Sequence, residues 1–319
     1  TDESFVVVAE TGAYRLTRLW LTGPLAGQHD VLVDNLPACT TPLVHAQLVA
    51  AQCVGTKTAS CLSADQIATL EKAYAGATDS KGKALYSDWP WDAGMSAQSQ
   101  PASGGPVAFS QSWRSWWLGA ASPTANNAIK LNFVSAIAVA YSSTPRLPFG
   151  PADSLPFSLN YNFDTDVAKI YSSSAAYPQA SSDLYFTRQA DLSKFRDRGG
   201  KLMVYHGAAD SAISVNDTLR WYSAMSATMG SQTPNFARLY VVPGMNHCRG
   251  GPATDSFDML GPLVNWVEKG TAPDRVLARA STPAYFNASA RSRPLCPHPQ
   301  QSRYKGTGDI NEAGNFECQ

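Results

Sequence analysis

Residues 199–210, Gly-Gly-Lys-Leu-Met-Val-Tyr-His-Gly-Ala-Ala-Asp, and residues 238–248, Arg-Leu-Tyr-Val-Val-Pro-Gly-Met-Asn-His-Cys, decide the fold. Each opens with a short, mostly apolar run, Lys201–Tyr205 or Arg238–Val242, and each run passes into glycine and polar residues. A short apolar run bounded by turn residues is the pattern of a buried parallel strand. Residues 217–229 follow the first run and place Leu219, Tyr222 and Met225 on one helical side. Residues 257–269 follow the second and point Leu260, Leu263, Val264 and Val267 inward, with Gly270 as the stop. Strand–helix–strand–helix predicts a parallel α/β arrangement.

In open α/β sheets, functional groups sit just beyond the carboxyl ends of the strands. Asp210 stands there after the first strand and His247 after the second. Acid before base is the chain order of the later triad members in an α/β-hydrolase. His247 would take a proton from a serine and return it to the leaving alcohol, while Asp210 would orient the imidazole and stabilise its cation. The rival readings are a turn carboxylate capping the next helix for Asp210 and a hydrogen-bonded loop histidine for His247. His206 reads as a structural hydrogen-bonding residue at a strand end, and Asn246 and Arg249 as loop-shaping residues. His29, His45 and His298 lie outside any chemical context.

The rest of the 319-residue chain sets limits on this reading. Hydrophobic residues make up 44%, with eight Trp, thirteen Tyr and twelve Phe, enough for a sizeable core. Lys+Arg and Asp+Glu balance at 25 each, which gives no case for nucleic acid or an anionic membrane as partner. A stretch of 18 apolar residues is missing, so no membrane span is expected. Only 16% of residues are charged and 21 are proline, which fits a loop-rich protein outside the cytosol. The chain opens at Thr1 without a methionine, as it would if a leader had been removed or never included.

Six cysteines lie at 39, 53, 61, 248, 296 and 318, with no C-x-x-C and no histidine pair at metal-ligand spacing, so no metal site is expected. Cys53 and Cys61 bracket a short polar loop, and Cys296 and Cys318 bracket a polar tail that cannot hold itself down by apolar contacts. Two local disulfides and an oxidising, secreted or periplasmic setting follow. The bland alternative is six free buried thiols.

Three segments emerge. Residues 1–38 are a β-strand segment, with strand-like runs at Phe5–Ala9, Tyr14–Leu21 and Val31–Val33 that resemble a fragment of a strictosidine-synthase-like propeller blade. One fragment cannot close a propeller, so that function does not carry over. Residues 39–190 form an irregular lid domain, with a helix capped by Ser63 over Ala64–Tyr74 and a Trp-rich stretch at 87–116. Trp113, Trp116, Trp117, Phe133 and Phe149 are its candidates for stacking on an aromatic acyl group, with core packing as the alternative. Residues 191–319 are the C-terminal part of the hydrolase domain with a disulfide-closed tail.

The strings GGKLMVYHGAADSAIS (199–214), VVPGMNHCRGGPATDSFDMLGPLVNWVEKGTAPDRVLA (241–278), RPLCPHPQQSRYKGTGDINEAGNFEC (293–318) and CLSADQIATLEKAYAGATDSKGKALY (61–86) resemble the tannase/feruloyl esterase family. The resemblance covers roughly residues 39–319. It implies a partial α/β-hydrolase, the acid/base half, with Asp210 and His247 in a Ser-His-Asp mechanism. It also implies aromatic esters, hydroxycinnamoyl-like or galloyl-like, as substrates, and disulfides Cys53–Cys61 and Cys296–Cys318.

Three departures stand against that pattern. The family's Gly-Cys-Ser-x-Gly-Gly nucleophile motif is absent, and so is G-x-S-x-G; the nearest string, Ser103-Gly104-Gly105, lies in the lid segment without a preceding strand. Cys248 has thereby lost its family partner and is free or paired with Cys39. The Asp-rich loop that holds calcium in the family lid is also absent, so no calcium site and no other cofactor is expected. A sheet lacking its nucleophile half has an open edge, which residues 5–33 or a second chain would have to cover. The competing expectation is a truncated or fused product without catalysis, at most a binder of aromatic ligands.

Overall fold

The computed structural model describes residues 6–10, 13–18, 32, 35–58, 60–96, 160–175, 178–185, 188–286 and 288–319. A hairpin of β1 (Val6–Glu10) and β2 (Ala13–Arg18) comes first and pairs antiparallel. It forms its own two-stranded sheet and does not extend the sheet that carries the candidate acid and base. The hairpin therefore does not supply the expected cover of the open edge and runs beside the short turn Ala93–Ser96, while residues 19–31 and 33–34 of the same segment lie outside the described residues.

Helices α1 (Thr41–Ala50) and α2 (Ala64–Tyr74) open the segment expected to form a lid. Ser63 begins α2 with a capping box: its Oγ accepts from Gln66 N at 3.2 Å, and Gln66 Oε1 accepts from Ser63 N at 2.9 Å. Val44 and Leu48 of α1 and Ile67 and Tyr74 of α2 pack with Leu62, Trp91 and Met95 into one buried cluster. Trp91 stacks on Tyr74, with ring centroids 3.9 Å apart and planes 2° from parallel. Cys53 and Cys61 are bonded, pinning the loop between the two helices. Three short helices follow, α3 (Val167–Ile170), α4 (Ser181–Tyr185) and α5 (Ser193–Asp197).

The hydrolase part starts with β3 (Leu202–Gly207), crosses over through α6 (Val215–Met229), and returns as β4 (Ala237–Val242). The strands pair parallel in unbroken register from Leu202 opposite Ala237 to Gly207 opposite Val242. Apolar Tyr222, Met225 and Met229 of α6 are buried with Phe236, Ala237 and Leu239, which seats the crossover helix on the sheet. After β5 (Ser256–Phe257), α7 runs over Leu260–Lys269, and β6 (Val276–Arg279) and β7 (Ser292–Leu295) join β5 in a three-stranded antiparallel sheet. The tail hairpin of β8 (Ser302–Tyr304) and β9 (Phe316–Cys318) is closed by the Cys296–Cys318 disulfide. Closing a loop of sequence separation 22 contributes on the order of 3 kcal/mol. The tail also edges β4, because His298 N donates to Leu239 O at 2.7 Å.

One expectation about α7 is overturned. Leu260, Val264 and Val267 are 69%, 40% and 59% exposed, and the helix's buried residue is Trp266. Lys201 and Arg238 lie over the Trp266 ring, at 5.4 and 5.7 Å from its centroid. The two-stranded parallel sheet is too narrow to cover the apolar stripe of this helix among the described residues.

Gly207, the last residue of β3, lies against the turn after β4: a methyl group there would collide with the Met245 and Asn246 carbonyl oxygens. Gly207→Ala should therefore lower unfolding free energy by about 1–3 kcal/mol, read as a lower urea midpoint at unchanged slope. The two remaining cysteines are free thiols, so no bond joins Cys39 to Cys248. Cys39 is buried, and burial first and Asp92 second push its thiol up to about 12, whereas Cys248 is exposed. Because the thiolate is the reactive form, iodoacetamide on the folded protein should modify Cys248 and leave Cys39 intact until denaturant is added, as peptide mass spectrometry would show.

Candidate active site

The turn after β3 delivers Asp210, and the loop after β4 delivers His247. The parallel register sets Gly207 beside Val242, so both turns leave from one end of the sheet. There Ala209 N donates to Met245 O at 3.0 Å, binding the two turns together. His247 Nδ1 lies 2.9 Å from Asp210 Oδ2. The Asp210 side chain is 6% exposed, whereas the imidazole side chain keeps 34% exposure. A buried acid behind a base that reaches solvent is the layout of an orienting carboxylate and a proton-transfer imidazole.

Asp210 divides its two oxygens. Oδ1 accepts from Ala212 N at 2.8 Å and Ile213 N at 3.0 Å inside its own turn, while the next helix is capped by Ser214, whose Oγ accepts from Asn216 N, so Asp210 is a turn carboxylate but not the helix cap. Oδ2 faces two imidazoles, His247 at 2.9 Å and His206 at 3.2 Å. Burial alone would raise this carboxyl, but the hydrogen bonds from His206, His247 and Ile213 overcome it and hold the group well below the usual carboxylate range. An ionised Asp210 makes Nδ1–H of His247 the donor and puts the basic lone pair on Nε2. The same hydrogen bond raises the His247 pKa from its ordinary 6.5, against the lowering effect of partial burial.

His206 is a hydrogen-bonding residue at the strand end, as its sequence position suggests, and one of its bonds reaches the acid. Its Nε2 lies 3.0 Å from Ile213 O as well as 3.2 Å from Asp210 Oδ2, and both of these are acceptors, so Nε2 carries a hydrogen. Its Nδ1 meets Thr218 Oγ1 of α6 at 2.8 Å. The sequence signal for this was His206 at four residues before Asp210 with Gly207 between, a spacing that folds the turn back on the strand end.

Residues 86–94 reach both turns. Ser214 N donates to Tyr86 Oη at 3.1 Å and Ser214 Oγ to Asp88 O at 2.5 Å, on the acid side. Arg220 of α6 pairs with Ser87 and Asp88. On the base side, Gly244 N donates to Asp92 Oδ2 at 3.1 Å and Asn246 Nδ2 donates to Gly94 O at 2.9 Å. Asn246 is thus a loop-shaping residue, as its sequence position suggests, whereas Asp92 had no motif to mark it.

The aromatic candidates Trp113, Trp116, Trp117, Phe133 and Phe149, and the Ser103–Gly105 string, lie outside the described residues. Of the Trp-rich stretch, Trp91 packs in the lid core. A cavity of about 250 Å³ lined by Pro243, Leu295, His298 and Gln301 includes neither Asp210 nor His247. Among the described residues no group of three or more His, Cys, Asp or Glu stands together to hold a metal ion, and no helix is long and apolar enough to cross a membrane.

Comparison with known proteins matches residues 22–319 to the family described as tannase and feruloyl esterase, so the match begins inside the segment 1–38, ahead of the expected start near residue 39. The chain is 46% identical over 301 residues to a mono(2-hydroxyethyl) terephthalate hydrolase of Piscinibacter sakaiensis, covering 92% of this chain and 49% of that protein. It is 40% identical over 132 residues to a probable feruloyl esterase of Arthroderma benhamiae, covering 40% of this chain and 24% of that protein. The crystal structure of feruloyl esterase B from Aspergillus oryzae superposes with a TM-score of 0.52 at 21% identity, over 90% of this chain and 52% of that one. An esterase structure from the same organism gives 0.54 at 22% identity, over 92% and 53%. The chain spans about half the length of the curated relatives at the head of the comparison, 49% and 48%. Its fold is α/β-hydrolase-like, and the chain belongs to the tannase and feruloyl esterase family.

Proposed function

We propose that this chain supplies the acid and base of a serine-type carboxylic ester hydrolase acting on aromatic esters. The observation that carries the proposal is the 2.9 Å contact between Asp210 Oδ2 and His247 Nδ1 at one end of the parallel sheet. In this reading His247 Nε2 removes the proton of a serine hydroxyl as the oxygen attacks the ester carbonyl. The imidazolium so formed is stabilised by Asp210 and then protonates the departing alkoxide. Water repeats the sequence to release the acid. The aromatic preference rests on the family and on the aromatic residues of the lid segment. The two disulfides support an oxidising, secreted or periplasmic setting.

The serine belongs to polypeptide outside the described residues, either in the lid segment of this chain or on a second chain that completes the sheet. No strand pairs with the second edge of β3 among the described residues, which is where further strands would add. A serine-reactive phosphonate tests the reading. One serine, on this chain or on a co-purifying one, should be labelled with loss of methyl ferulate hydrolysis. No labelling under conditions that inactivate a control esterase overturns it.

The pH dependence follows from the His247 shift. A base must be unprotonated, so kcat/KM should climb as pH rises through the His247 pKa, above 6.5. Asp210→Asn removes the group that stabilises the imidazolium, so the acid limb should move down in pH while kcat falls by about 10³–10⁴. His247→Ala should abolish the limb altogether. A pH–rate series on the three proteins checks both statements.

A further inference from the structure

We propose that Asp92 is a positioning residue for His247, acting through the backbone of Gly244 and in concert with Asn246. The proposal rests on the acid–base reading of Asp210 and His247, and its test uses no turnover.

Asp92 belongs to the lid, and its backbone is fixed there. Trp89 N donates to Tyr74 O at 2.7 Å, Trp91 Nε1 donates to Thr41 Oγ1 at 3.1 Å, and the Trp91 ring is stacked on Tyr74. Met95 N closes the turn on Asp92 O at 3.1 Å. From this anchor the carboxylate spans two segments. Oδ1 accepts from Gly94 N at 2.7 Å in its own turn, and Oδ2 accepts from Gly244 N at 3.1 Å, three residues before His247. Asn246, directly before His247, is fully buried and answers in the other direction. Its Nδ2 donates to Gly94 O at 2.9 Å and to Ala209 O at 3.1 Å, one residue before Asp210. Three hydrogen bonds thus join the lid turn, the acid turn and the base loop in one fixed relation, and the Asp92–Gly94 bond stiffens the lid turn itself.

Asp92 is not explained by stability alone. It is 3% exposed and pairs with no cation among the described residues. Burial pushes its carboxyl up to about 6, and the N–H groups of Gly94 and Gly244 hold it from going higher. The titratable groups that face it are the Cys39 thiol and the Tyr74 phenol, both pushed up chiefly by burial and secondly by Asp92. A buried, uncompensated carboxylate is costly. A two-oxygen acceptor is, however, the short side chain that can take one N–H from each of two facing segments. The fit is close: a methyl group on Gly94 would stand 2.5 Å from Gly244 O and 2.7 Å from the Ala209 Cβ.

The test is the ring titration of His247 by NMR in the parent protein and in Asp92→Ala, Asp92→Asn and Gly94→Ala. Asn keeps one acceptor and sets an amide hydrogen against the second N–H, and the glycine variant pries the segments apart without changing charge. His298 serves as the internal control, held in the tail by Leu239 O. Loosening of the base loop weakens the Asp210 contact, so His247 should titrate closer to 6.5 in each folded variant while His298 is unmoved. His247 titrating as in the parent in a folded variant overturns the proposal. So does a joint movement of His247 and His298, which marks general loosening. Where Asp92→Ala does not fold, the Asn and Gly94 variants decide by the same criterion. Failure of the esterase reading would show as absent phosphonate labelling, which the ring titration does not touch.

Discussion

Everything at this site depends on one geometric constraint, the parallel pairing that sets Gly207 opposite Val242. Two strands in that register end at the same height, so the turns that follow start side by side. Three residues past β3 the chain places a carboxylate, and five past β4 an imidazole, and the two meet at 2.9 Å. A slip of one residue in the pairing would turn every side chain to the opposite face. The apolar packing of α6 against Phe236, Ala237 and Leu239 prevents it, because the slip would expose what is now buried. Glycine at 207 is part of the same constraint, since no side chain fits between the strand end and the Met245 carbonyl.

The helical segment ahead of residue 97 is tied directly to the two turns. Its core of Val44, Leu48, Ile67, Tyr74, Trp91 and Met95 includes Ala209, so the hydrophobic cluster of one segment ends inside the acid turn of the other. Apolar contact of this kind holds position but gives little direction. Direction comes from polar contacts at the rim of the cluster, Tyr86 and Asp88 on Ser214 and Asp92 on Gly244. Buried hydrogen bonds are stronger in low dielectric and costly to leave unmade. The lid turn therefore fixes both loops more sharply than packing would.

The sequence was most legible where a single local cause dominates. Ser63 as cap and Ala64–Tyr74 as helix needed only the capping box and one apolar face, and the helix has those bounds. The runs over 201–205 and 238–242 became β3 and β4 to within two residues at each end. Asp210 and His247 could be named because chain order and strand ends are local signals. The α7 stripe misled because inward and outward cannot be told from periodicity alone; Leu260 and Val267 have the right spacing and no sheet to face. Asp92 was invisible for the opposite reason. Its meaning lies in a hydrogen bond 152 residues away along the chain, and nothing in Trp-Asp-Ala-Gly announces it.

The two imidazoles on Asp210 bear on how the pair would work. His206 Nε2–H is shared between Asp210 Oδ2 and Ile213 O, and its ring is also held by Thr218. It stabilises negative charge on the acid whatever His247 is doing, since its hydrogen is committed to acceptors in either state. With the charge thus held, a proton arriving at His247 stays on the imidazole and does not pass to the carboxylate. In the proposed mechanism Asp210 would then serve as a fixed counter-charge, and the base would cycle between neutral and cationic forms against it. The cost of burying the carboxylate is offset by four hydrogen-bonding partners: two backbone N–H groups on one oxygen and two imidazoles on the other. Those partners come from β3, its turn and the loop after β4. The hydrogen bonds to the carboxylate therefore come from this half of the fold, with no contribution needed from the strands that would carry the serine.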